Sequence, residues 1–142
     1  MQAALDAARD AAGAGEVPVG AAVTRDGALI AAAGNRTLRD ADPTAHAEVV
    51  AIRAACAARA TPVLDGCTLT VTLEPCAMCA GAIALARVPR VIFGAYDPKG
   101  GGVEHGARVF ERATCHHRPE VVGGVAASVC GDLLRDFFAD RR

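Results

Sequence analysis

Two short segments constrain this chain more than anything else in it: His46-Ala47-Glu48 and, further on, Pro75-Cys76-Ala77-Met78-Cys79. Cys76 and Cys79 are three apart, so on the first turn of a helix both sulfurs face the same way and share one metal ion. Proline is favoured where a helix begins, which suits Pro75, and the positive end of the helix dipole draws thiols toward the thiolates that zinc requires. His46 is the third ligand. Three protein ligands leave the fourth tetrahedral position to water, which is the arrangement of a catalytic zinc. Glu48, two residues after the histidine, projects in a different direction and reads as a base beside that water. The plainer alternatives are a structural zinc knuckle, or core cysteines with an unrelated histidine. A thioredoxin-like redox pair is disfavoured, because the proline precedes the first cysteine and an H-x-E element lies upstream.

The remaining composition fits one catalytic domain over residues 1–142. At 52% hydrophobic content the chain can bury a full core, and no linker, repeat or low-complexity stretch divides it. No basic segment with an apolar stretch and cleavage site opens the sequence, and no apolar run approaches a membrane span. A cytoplasmic protein without a membrane association is the expectation. Beside the ligand pair, Cys56, Cys67, Cys115 and Cys130 are scattered without a disulfide framework and read as reduced thiols. The net charge of −1 asks for no nucleic acid, although a local cluster of cations can bind phosphate without a high total charge.

Periodicity and turn residues predict alternating helices and strands. Gln2 to Ala14 is an alanine-rich helix; Val17 to Thr24 and Ala28 to Ala33 form a hairpin about Arg25-Asp26-Gly27. Asn35 to Thr44 is a polar connection, with Thr44 the expected N-cap of a helix burying Val49, Ile52 and Cys56. His46 and Glu48 then fall in that helix's first turn. Cys67 to Leu73 is a strand, and the helix after it begins with the cysteine pair, so the metal lies between two helix N-termini. A strand from Arg90 to Ala95, a short helix near Ala107 to Arg112, a strand from Glu120 to Val122 and a closing helix from Ala126 to Phe138 complete the pattern. A helix between the last two strands makes them parallel, giving an α/β fold with a five-stranded mixed sheet flanked by helices.

Gly15-Glu16-Val17-Pro18-Val19-Gly20, Asp42-Pro43-Thr44-Ala45-His46-Ala47-Glu48, Thr72-Leu73-Glu74-Pro75-Cys76-Ala77-Met78-Cys79 and Val91-Ile92-Phe93-Gly94-Ala95 closely resemble bacterial tRNA adenosine deaminases, within the cytidine and deoxycytidylate deaminase superfamily. The paired H-x-E and P-C-x-x-C elements are the signature of zinc nucleobase deaminases. The resemblance implies a three-layer α/β/α cytidine-deaminase-like fold, a homodimer, and one zinc per subunit on His46, Cys76 and Cys79. It implies hydrolytic deamination: water activated by zinc attacks an amino-bearing ring carbon, Glu48 moves the proton, and ammonia leaves. It also implies that Asn35, the backbone N–H of Ala47 and the carbonyl of Glu74 bind substrate. From the residues alone, Asn35 reads equally as a turn residue after Gly34.

The chain departs from that pattern at Gly100-Gly101-Gly102-Val103-Glu104-His105-Gly106, where tRNA deaminases carry small residues. Glu104 there repels phosphate yet accepts hydrogen bonds from an amino-substituted ring, and it can shuttle protons. Such a loop looks like that of free-base deaminases. The favoured expectation is therefore a small heterocyclic base of cytosine, isocytosine, guanine or amino-triazine type, with Glu104 a second catalytic carboxylate and His105 a substrate contact. A tRNA adenosine deaminase is the alternative, with Arg108, Arg112, Arg118, Arg141 and Arg142 as its basic face. A non-catalytic zinc-bearing binding module is a third, and Glu48 argues against it. The glycine run reads as a flexible lid, since no P-loop residues follow it. Cys115-His116-His117 lacks a partner at metal spacing. Phe137 and Phe138 read as core of the last helix, or as residues that reach a neighbouring active site.

Overall fold

A computed structural model describes residues 1–141. Five strands form one sheet in the order β2-β1-β3-β4-β5: β1 (Gly20–Arg25), β2 (Ala28–Gly34), β3 (Cys67–Leu73), β4 (Arg90–Ala95) and β5 (Glu120–Val122). β1 runs antiparallel to β2 and β3, whereas β3, β4 and β5 are mutually parallel. α1 (Gln2–Gly13) and α4 (Ala127–Ala139) cover one face; α2 (Ala47–Arg59) and α3 (Ala77–Leu85) lie together on the other. This is the expected three-layer α/β/α fold, with the last two strands parallel.

Local chemistry accounts for the elements. The β1–β2 turn places Asp26 and Gly27 at φ 51° and 80°, a pair of left-handed residues whose twist matches that of the flanking strands. Alternate residues of β1, β3 and β4 point into the layer under α2, so Val23, Leu69, Val71, Val91 and Phe93 are fully buried with Ala51, Ala55 and Ile83. α1 turns Ala4, Leu5, Ala8 and Ala11 inward, and the three alanines let it lie close on the sheet.

Four boundaries differ from expectation. β1 begins at Gly20 because Pro18 has no N–H and Val19 donates back to the Val17 carbonyl, which takes Val17 and Val19 out of the ladder. Thr44 is not the cap of α2: its N–H and hydroxyl both donate to Asp42 Oδ1, and His46 takes the N-cap position. Cys76 likewise caps α3, so Pro75 stands just outside the helix. The helix expected at Ala107 to Arg112 reduces to a 3₁₀ turn at Val109–Glu111, since Gly106 and Arg108 both have positive φ.

Candidate active site

His46 and Cys76 occupy the N-caps of α2 and α3, both with extended backbone, and Cys79 lies in the first turn of α3. α2 and α3 pack side by side on one face of the sheet, so both N-termini converge at one end of it. His46 Nδ1 lies 3.6 Å from Cys76 Sγ and 3.6 Å from Cys79 Sγ. A tetrahedral zinc with Zn–N of about 2.05 Å and Zn–S of about 2.3 Å separates nitrogen from sulfur by about 3.6 Å, so the three groups fit this ion without rearrangement. Among the described residues they are the one group of three or more metal-ligating side chains whose ligand atoms gather within 4.8 Å. Cys115, His116 and His117 make no second group: the Cys115 thiol donates to the His117 carbonyl, and His117 Nε2 bonds the Val88 carbonyl.

The cysteines differ in environment. Hydrogen bonds from the Cys79 thiol and from His46 bring Cys76 down to about 4. The adjoining Cys76 sulfur and burial push Cys79 up. Glu48, in the first turn of α2 and 4% exposed, stands outside the ligand group. Burial raises its pKa, and the Cys76 charge adds to the rise. A carboxyl so placed holds a proton more readily than an exposed one.

These side chains open into a cavity of about 350 Å³, within the range of small-ligand sites of roughly 300–1,000 Å³. His46, Ala47, Glu48 and Cys76 form its floor; Asn35 and Thr37 line it from the segment after β2, and Glu74, Asp97 and Gly100 from the segments after β3 and β4. Asn35 is nearly buried, its N–H donating to the Val19 carbonyl and its Nδ2 to Thr37 Oγ1. Ala47 is the first residue of α2, so its N–H has no helical acceptor and is available to a ligand. The apolar walls come from Val17, Val19 and Leu73. Val17, Val19, Thr37, Asp97 and Gly100 were not foreseen as lining residues, because each enters through a loop whose path no periodicity records.

Two buried glutamates hold those loops. Glu16 has no exposed surface and accepts the N–H groups of Leu38 and Arg39, at 3.1 and 2.8 Å, with the Arg39 guanidinium beside it. Burial alone would raise its pKa, but these donors bring it below the usual carboxylate range. Glu74 plays the same part across the cavity. Its Oε2 accepts the N–H groups of Val103, Glu104 and His105, and its Oε1 accepts those of Asp97 and the His105 ring. Gly101 packs so closely on this carboxylate that a Cβ there would collide with it, and a Cβ on Gly102 would meet the backbone of Ala77.

Glycines 100 to 102 are therefore no flexible lid: Gly101, Gly102 and Val103 are buried and bonded in place. Glu104 does not line the zinc cavity. Its backbone is tied to Glu74 while its exposed side chain borders a separate cleft with Arg108, Phe110 and Arg118. His105 is likewise absent from the cavity lining, its Nδ1 committed to Glu74. Of the five expected basic residues, Arg112 borders a different hollow and the Arg141 guanidinium lies 3.4 Å from the Phe137 ring centroid; Arg142 lies outside the described residues. Phe137 is buried in the core side of α4, and Phe138 is about half exposed.

Residues 1–95 match the model of the cytidine and deoxycytidylate deaminase zinc-binding region. A tRNA-specific adenosine deaminase of Agrobacterium fabrum (strain C58) is 51% identical over 142 residues, covering all of this chain and 93% of its own. A solved structure from work on A-to-I editing by tRNA:A34 deaminases at the wobble position of transfer RNA is also 51% identical. It superposes with a TM-score of 0.93 over 94% of this chain and 97% of that one. The guanine deaminase of Nitrosomonas europaea is 28% identical, with a TM-score of 0.76 over 96% of this chain and 81% of that one. The expectation of a free heterocyclic base as substrate is thereby overturned. It rested on Glu104, which stands outside the cavity, and the relatives that match the whole chain at high identity include tRNA-specific adenosine deaminases.

Proposed function

The chain belongs to the zinc-binding cytidine and deoxycytidylate deaminase family and is a hydrolytic deaminase; from that premise we propose that its substrate is adenosine in tRNA, converted to inosine at the anticodon wobble position. The observation that carries this reading is the 51% identity, spread over every residue of the chain, to a tRNA-specific adenosine deaminase. A cavity of about 350 Å³ that opens at one end of the sheet suits a single base turned out of an RNA loop.

The roles follow from position. His46, Cys76 and Cys79 would hold the zinc. That ion would supply the acidity that makes a water nucleophilic near neutral pH. Glu48 takes the proton that the attacking water loses at the amino-bearing carbon and gives it to the neighbouring ring nitrogen. It then passes the proton of the newly added hydroxyl to the departing amino group, so the C–N bond breaks, ammonia leaves and a carbonyl remains. Asn35, fixed by Val19 and Thr37, presents an amide to the base edge, and the Ala47 N–H adds a donor at the α2 N-terminus. Leu73, Val17 and Val19 flank the ring and exclude water.

The reading includes a homodimer. Met78, Ala82 and Leu85 lie on one face of α3, a helix without a charged residue, and Leu85 is 84% exposed. Leu85 also borders a hollow of about 420 Å³ with Val109 and Cys115, and so large an exposed apolar side chain suits a second copy better than water.

The test is inosine formation by zinc-loaded protein in an anticodon stem-loop carrying a wobble adenosine, beside ammonia release from guanine, cytosine and amino-triazines. Inosine in the stem-loop with the free bases inert is the expected result; turnover of a free base with an inert stem-loop would overturn the reading.

A further inference from the structure

The carboxylate of Glu74 is shielded from solvent and receives five hydrogen bonds, which saturates its roughly four lone-pair sites. Its donors come from both ends of one loop. Asp97 N–H reaches Oε1 at 3.1 Å, and the N–H groups of Val103, Glu104 and His105 reach Oε2 at 3.3, 2.9 and 3.1 Å. The chain between them is closed into a ring about a single side chain. Asp97 and Gly100, within that ring, are walls of the zinc cavity, and the Gly102 N–H donates to the Pro75 carbonyl next to a zinc ligand. Any slack in the ring is thus slack in the cavity wall.

Four of the five donors are backbone groups, which every residue type supplies. The fifth is the His105 ring, whose Nδ1 lies 2.8 Å from Glu74 Oε1 and whose edge faces Tyr96 at 6.2 Å between centroids. It is a side chain on a surface loop, about a third exposed, that does not line the cavity and yet ties the innermost carboxylate of the loop.

We propose that His105 is a positioning residue: by donating to Glu74 it keeps the Asp97–Gly102 wall preformed, and so sets the fraction of molecules ready to accept the substrate base. The proposal rests on the reading of this cavity as the tRNA-adenosine site. Its consequence has a kinetic form. A protein whose competent state is only partly populated binds with an apparent constant weakened by that fraction, while saturating substrate restores the population. Loss of His105 therefore acts on KM and leaves kcat, because Glu48 and the zinc ligands are untouched.

Asn and Leu at position 105 separate donor from shape. His105→Asn keeps an N–H donor at the branch position of Nδ1; His105→Leu is similar in size and has none. With an anticodon stem-loop as substrate, His105→Leu should raise KM about tenfold with kcat within about twofold, a charge-assisted hydrogen bond being large enough for such a shift, and His105→Asn should restore KM to within about twofold. Leu and Asn behaving alike, or a fall in kcat at constant KM, would overturn the proposal. Hydrogen exchange on zinc-loaded protein without RNA reads the same clamp without reference to substrate. The Glu104 and His105 amides should exchange about tenfold faster in His105→Leu than in the parent or His105→Asn, with the sheet amides unchanged. Equal exchange in all three proteins, or a rise spread through the sheet, would also refute it. Should the parent fail to deaminate the stem-loop, the substrate reading falls and the exchange result still decides the role of His105.

Discussion

At the residue scale, the chemistry depends on how far a side chain's surroundings differ from water. Glu48 and Glu104 are both carboxylates, but one is buried beside the ligand group and the other stands in solvent. Replacing Glu48 with Gln removes the proton carrier and keeps the shape, so turnover should fall by at least about 10³-fold while zinc content, measured by atomic absorption, stays at one per chain. Glu104→Ala in the same assay should stay within about twofold, as surface substitutions away from special features do. A severe loss in Glu104→Ala would return that residue to the chemistry. The sequence pointed to Glu48 because its spacing from His46 is local. It misdirected Glu104 because a charge in a glycine-rich loop carries no record of which way the loop turns.

At the element scale, the site is the meeting of two helix N-termini with two clamped loops. The helices were legible: β3, β4 and β5 fall at the expected residues, and α2 and α3 begin within a few residues of the ligands. The loops were not, since Glu16 and Glu74 act on backbone groups 22 to 31 residues away. The only local hint was an acidic residue set against apolar neighbours at each place. The close approach of Gly101 to the Glu74 carboxylate makes a specific demand. Gly101→Ala should displace the loop, weaken stem-loop binding and lower the thermal midpoint, while the zinc content of purified protein is retained. A midpoint and affinity equal to the parent's would show that the loop does not need this contact.

At the scale of the whole molecule, α3 carries an apolar face that one copy leaves open. Leu85→Lys should shift sedimentation toward the monomer, with the far-ultraviolet dichroism of the folded chain retained; a parent protein that sediments as a monomer would remove the proposed homodimer. By itself the sequence determined the His46, Cys76 and Cys79 group that suits zinc, the place of Glu48 beside it and the order of helices and strands, because each depends on residue spacing within one or two turns or on side-chain alternation along a strand. Which carboxylate lines the cavity, which loops wall it and that His105 meets Glu74 were decided only by the tertiary structure. Those contacts join segments far apart in the chain, and their directions come from packing, which no local pattern encodes.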